Sequence, residues 1–181
     1  MSQLAQLVGV APAQFRDAYF KHNHLANVQN MPWEDMVVSV VRTFDARPDA
    51  EEEARRLLKE HASKNFINTE LVALFTALRK AGLKVAIFSN AGTWLRSFLE
   101  KEGIIPLVDE VVISAEVGHQ KPHPEAFQVL FEKLGLLPSE VVFVDDAEKS
   151  LEKAREIGYI PLLFEDNDKL VVDLKNLGLH F

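Results

Sequence analysis

The chain has 181 residues, 48% of them hydrophobic and 26% charged, with a formal net charge of −7 and no cysteine. That balance suits a soluble domain that buries its own core, or a core with a modest inserted subdomain. The acidic charge argues against a general affinity for nucleic acid or anionic membranes, and the lack of cysteine excludes disulfides, thiolate zinc sites and cysteine nucleophiles.

The opening stretch, "MSQLAQLVGVAPAQ", carries an "APA" that mimics a cleavage site. It has no basic start, Gln3 and Gln6 interrupt its apolar run, and the first cation is Arg16, so it reads as helix. Apolar positions then recur at helical spacing: Phe15, Ala18 and Tyr19; Trp33, Val37, Val40, Val41 and Phe44; Ala54, Leu57 and Leu58. Pro32 fits a first helical turn. Residues 1–65 therefore read as a small all-helical unit, with a boundary to residues 66–181 in "SKNFIN", residues 63–68.

Beyond that boundary the rhythm changes. "NTELVALFTALRKAG" predicts an amphipathic helix with Leu71, Leu74, Phe75 and Leu78 on one face and Gly82 after its end. "LKVAIFSN" reads as a strand. "TWLRSFLEKEG" before "DEVVIS", "HPEAFQVLFEKLG" before "EVVFVDD", and "EKSLEKAREIG" before "YIPLLF" repeat the scheme of helix, glycine and apolar strand. Such alternation predicts an α/β fold, a Rossmann-like parallel sheet covered on both faces. No apolar stretch approaches the roughly 18 residues of a membrane span.

Ligands of open parallel α/β sheets bind at the carboxyl ends of the strands. There the sequence places Ser89 and Asn90 after "VAIF", Lys121 in the loop after "VVIS", and Asp145 and Asp146 after "VVFV". Ser89 can donate to a phosphoryl oxygen; alone, a Ser-Asn pair after a strand is a turn. Lys121 can neutralise a phosphate; alone, it is a solvated loop lysine. The acid pair can hold Mg²⁺, or it can simply open a helix whose dipole favours negative charge. The specificity lies in the ordered set, hydroxyl, ammonium and acid pair at successive strand ends. His22 with His24, and His119 with His123, lack a third ligand nearby and read as exposed histidines, His123 as a cap beside Pro124.

"VAIFSNAG", "EVGHQKPHPEAF" and "VVFVDDAEKSLEKAREIGY" closely resemble motifs two, three and four of the haloacid dehalogenase superfamily. The helical first part resembles the small cap of one subgroup, which includes sugar-phosphate phosphatases and the N-terminal domains of epoxide hydrolases. The resemblance implies a Mg²⁺-dependent phosphatase for a small phosphorylated metabolite, and the lack of cysteine suits a reducing cytoplasm. Ser89, with Asn90 beside it, would bind and orient the phosphoryl group, Lys121 would stabilise its charge, and Asp146 with Asp145 would ligate the metal. Ser150 stands where many relatives carry a further acid or amide. Trp33 and Tyr19 belong to the cap, as core or as pocket lining.

Motif one, an Asp-x-Asp ending the first strand and carrying the nucleophile, is not found in its expected place. Only Asp166 and Asp168 have the spacing, after the last strand; Asp45 follows an apolar run that reads as helix. Residues 3–20 resemble the start of the cap, so the expectation is that roughly 20 residues of strand and loop are missing. By family topology that strand is central. The sheet must then keep unpaired edges, close by another pairing or recruit a partner, and a homo-oligomer is one such outcome. The chain as given is expected to be inactive, and the alternative reading is a catalytically dead relative that binds a phosphorylated ligand or a protein. A phosphoacceptor receiver domain carries similar groups in the reverse chain order.

Overall fold

Helical spacing in the first part of the chain is realised as α1 (Ser2–Leu7), α2 (Pro12–Asn27), α3 (Trp33–Phe44) and α4 (Pro48–Ala62). The computed structural model describes residues 1–45, 47–62 and 67–181. Gly9 turns the chain between α1 and α2 at φ +68°, a left-handed conformation that costs a glycine little. Pro12 occupies the first turn of α2, where its missing N–H has no partner to lose. Phe15, Met36, Val37, Val40, Val41 and Ala54 form a fully buried core. At about 1.5–3 kcal/mol for each large apolar side chain, that core outweighs exposed ion pairs such as Arg42–Glu51, which water and salt screen. Trp33 and Tyr19 pack against it, and Trp33 Nε1 donates to the Tyr19 hydroxyl at 3.2 Å.

The chain divides into two compact units, Met1–Ile67 and Asn68–Phe181. Residues 63–66 of the segment "SKNFIN" lie outside the described residues.

The second unit alternates helix and strand: α5 (Thr69–Lys80), β1 (Ala86–Ser89), α6 (Trp94–Lys101), β2 (Glu110–Ile113), α7 (Ser114–Val117), α8 (Pro124–Leu134), β3 (Val142–Asp145), α9 (Glu148–Leu151), α10 (Ala154–Ile157), β4 (Ile160–Leu163) and α11 (Asn167–Asn176). Asn68 caps α5 by accepting from the Leu71 N–H at 3.0 Å. "EKSLEKAREIG" differs from the single helix predicted for it. Lys153, at φ −96° and ψ 8°, leaves helical geometry and divides the segment into α9 and α10, each one turn long.

The parallel sheet is also divided. β1 pairs with β2 from Ala86↔Glu110 to Ser89↔Ile113, and β3 pairs with β4 from Val142↔Ile160 to Asp145↔Leu163. Among the described residues nothing pairs β1 with β3, so the sheet is two parallel pairs rather than one continuous layer. The pleat of β3 sends Val142 and Val144 towards leucines of α5 and α11, and Phe143 towards Phe127 of α8.

Candidate functional site

The chain leaves β1 at Ser89, and the next residues are fixed from the start of α7. Ser114, fully buried, accepts from the Ala91 N–H at 2.9 Å and donates to the Ala91 carbonyl at 3.2 Å. The Ala115 N–H reaches the same carbonyl at 3.2 Å. A hydroxyl that both donates and accepts satisfies the buried backbone of a turn that cannot join a ladder. After α7 the chain turns at Gly118, φ +75°, and returns towards β1.

Asn90 receives that loop. Its Nδ2 donates to the Lys121 carbonyl at 2.9 Å, and its Oδ1 accepts from the Lys121 N–H at 2.8 Å. Asn90 thus holds the backbone of Lys121, and both polar ends of its side chain are occupied.

Lys121 is no solvated loop lysine. Its side chain is 8% exposed, and Nζ donates to Asp145 Oδ2 at 2.6 Å and to the Phe88 carbonyl at 2.9 Å. The ammonium also lies 5.1 Å from the ring centre of Phe88 and 5.0 Å from that of Phe143. A buried cation is costly unless paired and hydrogen-bonded. Here a carboxylate, a carbonyl and two aromatic faces provide the compensation. Two of the three ammonium N–H groups are engaged in these hydrogen bonds.

Asp145 ends β3, and its second oxygen accepts from the Ala147 N–H at 2.9 Å. Asp146, one residue on, is exposed and makes no hydrogen bond or ion pair among the described residues. Ser89 likewise keeps its hydroxyl free among them. Behind the rim, burial, with the charge of Asp145 second, pushes the Tyr159 phenol up to about 12. It stays protonated and donates to the Ser150 carbonyl at 3.2 Å.

Ser89, Lys121, Asp145 and Asp146 line a single cavity of 620 Å³ within this unit; Asn90 stands outside it as the holder of Lys121. The donor set fits a hard cation in part. Asp146 offers a free carboxylate, whereas both Asp145 oxygens are engaged, and no cluster of three His, Cys, Asp or Glu residues occurs among the described residues. An ion that keeps most of its waters and binds one or two carboxylates suits that set.

The decoys are resolved as structure. Asp166 caps α11 by accepting from the Lys169 N–H at 2.8 Å, with Asp168 in the first turn. Asp45 follows α3 and pairs with Arg47. His22 and His24 each bond through Nδ1 to a backbone carbonyl, at 2.8 and 3.0 Å. His123 takes the N-cap position of α8 without a side-chain bond. Sequence reading missed Ser114 as the clasp and Phe88 with Phe143 as the cage of Lys121. The signal for the cage was present, a phenylalanine inside each of the runs "AIFS" and "VFVD".

The fold and this rim define a parallel α/β core with polar groups at its strand ends, joined in sequence to a helical unit. A profile described as haloacid dehalogenase-like hydrolase matches residues 4–158. The chain belongs to that family. It is 31% identical over 159 residues to a phosphatase of Mycobacterium tuberculosis, covering 84% of this chain and 72% of the relative. It is 26% identical to the bifunctional epoxide hydrolase 2 of Sus scrofa, over 74% of this chain but only 26% of that protein. A phosphatase of the same superfamily from Thermococcus onnurineus shares the fold, with a TM-score of 0.59 at 21% identity over 91% of this chain and 74% of that one. Among the described residues no helix is long and apolar enough to cross a membrane.

Proposed function

We propose that residues 1–181 carry the phosphate-holding half of a Mg²⁺-dependent phosphatase for small phosphorylated metabolites. The observation that supports this reading is the buried Lys121 ammonium, set between Phe88 and Asp145, on a rim shared with Ser89 and Asp146. Relatives in the family include a phosphatase of Mycobacterium tuberculosis and a glyceraldehyde 3-phosphate phosphatase of Methanocaldococcus jannaschii.

In this reading Lys121 neutralises a phosphoryl oxygen, and the Ser89 hydroxyl donates to a second one. Asn90 fixes where Lys121 acts by holding its backbone. Asp146 would hold the metal, which supplies further positive charge beside the phosphoryl oxygens. Asp145 holds Lys121 in place.

Among the described residues Asp145 is held by Lys121, and of the acids with motif-like spacing Asp166 caps a helix and Asp168 lies in its first turn. That favours a second reading for these 181 residues, binding of a phosphorylated ligand without turnover. Calorimetric titration with inorganic phosphate and Mg²⁺, alongside a p-nitrophenyl phosphate assay, separates the readings. Binding without turnover is expected. Turnover abolished by Asp146→Asn would show that these residues already suffice for catalysis, and absence of phosphate binding would overturn the proposal itself.

A further inference from the structure

The two acceptors of the Lys121 ammonium come from different strands, the Phe88 carbonyl from β1 and Asp145 from β3. Among the described residues no ladder bond joins those strands. The spacing of the two acceptors is therefore set by packing, and the packing is aromatic. Phe127 of α8, fully buried, places its ring 5.1 Å from that of Phe88 at 90° and 5.0 Å from that of Phe143 at 89°. One ring thus touches the residue that supplies the carbonyl and the residue two positions before the carboxylate. Perpendicular contacts of this kind fix orientation as well as distance, because the ring quadrupole favours them over a parallel sandwich.

Phe127 is itself held. Tyr159 stacks on it at 4.7 Å and 15°, meets Phe143 edge-on at 5.4 Å and 81°, and donates its hydroxyl to the Ser150 carbonyl at 3.2 Å. The Phe88 and Phe143 ring centres lie 5.8 Å apart, and Nζ lies 5.1 and 5.0 Å from them, so both rings flank the ammonium on one side. Two hydrogen bonds alone would let the ammonium pivot about the line joining its acceptors. A wedge of two ring faces removes that freedom. Phe127 and Tyr159 do not line the cavity, so any effect they have on a bound phosphate passes through the groups they hold.

We infer that Phe127, backed by Tyr159, is a positioning residue of the phosphate site. It holds the Phe88 and Phe143 rings, and with them the Lys121 ammonium, in the place from which the lysine meets a phosphoryl oxygen. The inference rests on the phosphate-binding reading above for its ligand, and on the packing for its geometry. A plain core role predicts instead that an apolar side chain of similar volume serves equally well at position 127.

The test compares the 181-residue chain with Phe127→Leu, and with a chain in which cyclohexylalanine replaces Phe127. Cyclohexylalanine keeps the apolar volume but has no π face. Calorimetry in the presence of Mg²⁺ reads the affinity for inorganic phosphate. NMR reads the methylene protons beside Lys121 Nζ, assigned by their loss in Lys121→Arg and shielded in the native chain by the two ring faces. Both replacements should weaken phosphate binding about threefold or more and move the Lys121 signal towards that of an exposed lysine. If Phe127→Leu does not fold, the cyclohexylalanine chain carries both readouts. Unchanged phosphate affinity in a folded variant overturns the inference. So does weaker binding with the Lys121 signal unmoved, since the effect then bypasses the lysine. If the unaltered chain binds no phosphate, the proposed function fails, and the Lys121 signal alone decides whether Phe127 positions the ammonium.

Discussion

Lys121 Nζ stands 2.6 Å from Asp145 Oδ2, and only 8% of either side chain is exposed. One residue comes from the loop after α7 and the other from the end of β3, so the pair ties together two segments 24 positions apart. It holds together because each charge also has backbone partners, Phe88 for the lysine and Ala147 for the aspartate.

Lys121→Met should destabilise the chain by about 3–5 kcal/mol, because it leaves the Asp145 charge buried without its cation. Adding Asp145→Asn should restore part of the loss, since no unpaired charge then remains. Urea denaturation of both single variants and the double variant measures the coupling. Simple additivity would mean that the pair is not coupled.

Asn90→Ala removes both hydrogen bonds to the Lys121 backbone and should cost about 1–3 kcal/mol. Asn90→Asp keeps an acceptor for the Lys121 N–H but sets a carboxylate oxygen against the Lys121 carbonyl. Both should weaken phosphate binding by displacing Lys121. If calorimetry finds phosphate affinity unchanged in both, Asn90 does not position the lysine.

Asp146→Asn should leave stability within about 0.5 kcal/mol, because the side chain is exposed and unpaired. The same variant should lose most of its Mg²⁺ affinity in a calorimetric titration. Wild-type affinity in this variant would move the metal away from Asp146.

Tyr159 gives a pH signature. Its folded pKa, raised from 10.0 to about 12, favours the neutral phenol. The corresponding stability is fully present below the ordinary tyrosine value and is lost as pH rises towards the folded one. Ultraviolet titration of tyrosinate should place Tyr159 near the upper value, and Tyr159→Phe should flatten the alkaline fall in stability. An ordinary tyrosine titration in the folded chain would refute the shift.

The α/β class and every strand of the second unit were legible because apolar runs of strand type bounded by glycine-terminated helices have few other solutions. "EVVFVDD" became β3 and the turn after it, and "VAIFSN" became β1. The division of "EKSLEKAREIG" was not legible. Its residues are good helix formers, and the break at Lys153 is a backbone conformation that composition does not encode.

The sequence by itself determined which chemical groups stand at the strand ends, since a strand's length and alternation place the residue that follows it. Ser89, Lys121, Asp145 and Asp146 line one cavity as that order implied. Only the tertiary structure decided how those groups are used. Lys121 is buried between two phenylalanine rings, Asp145 is committed to it, Asn90 holds a backbone and Asp146 is left free. These assignments depend on contacts between residues more than 20 positions apart.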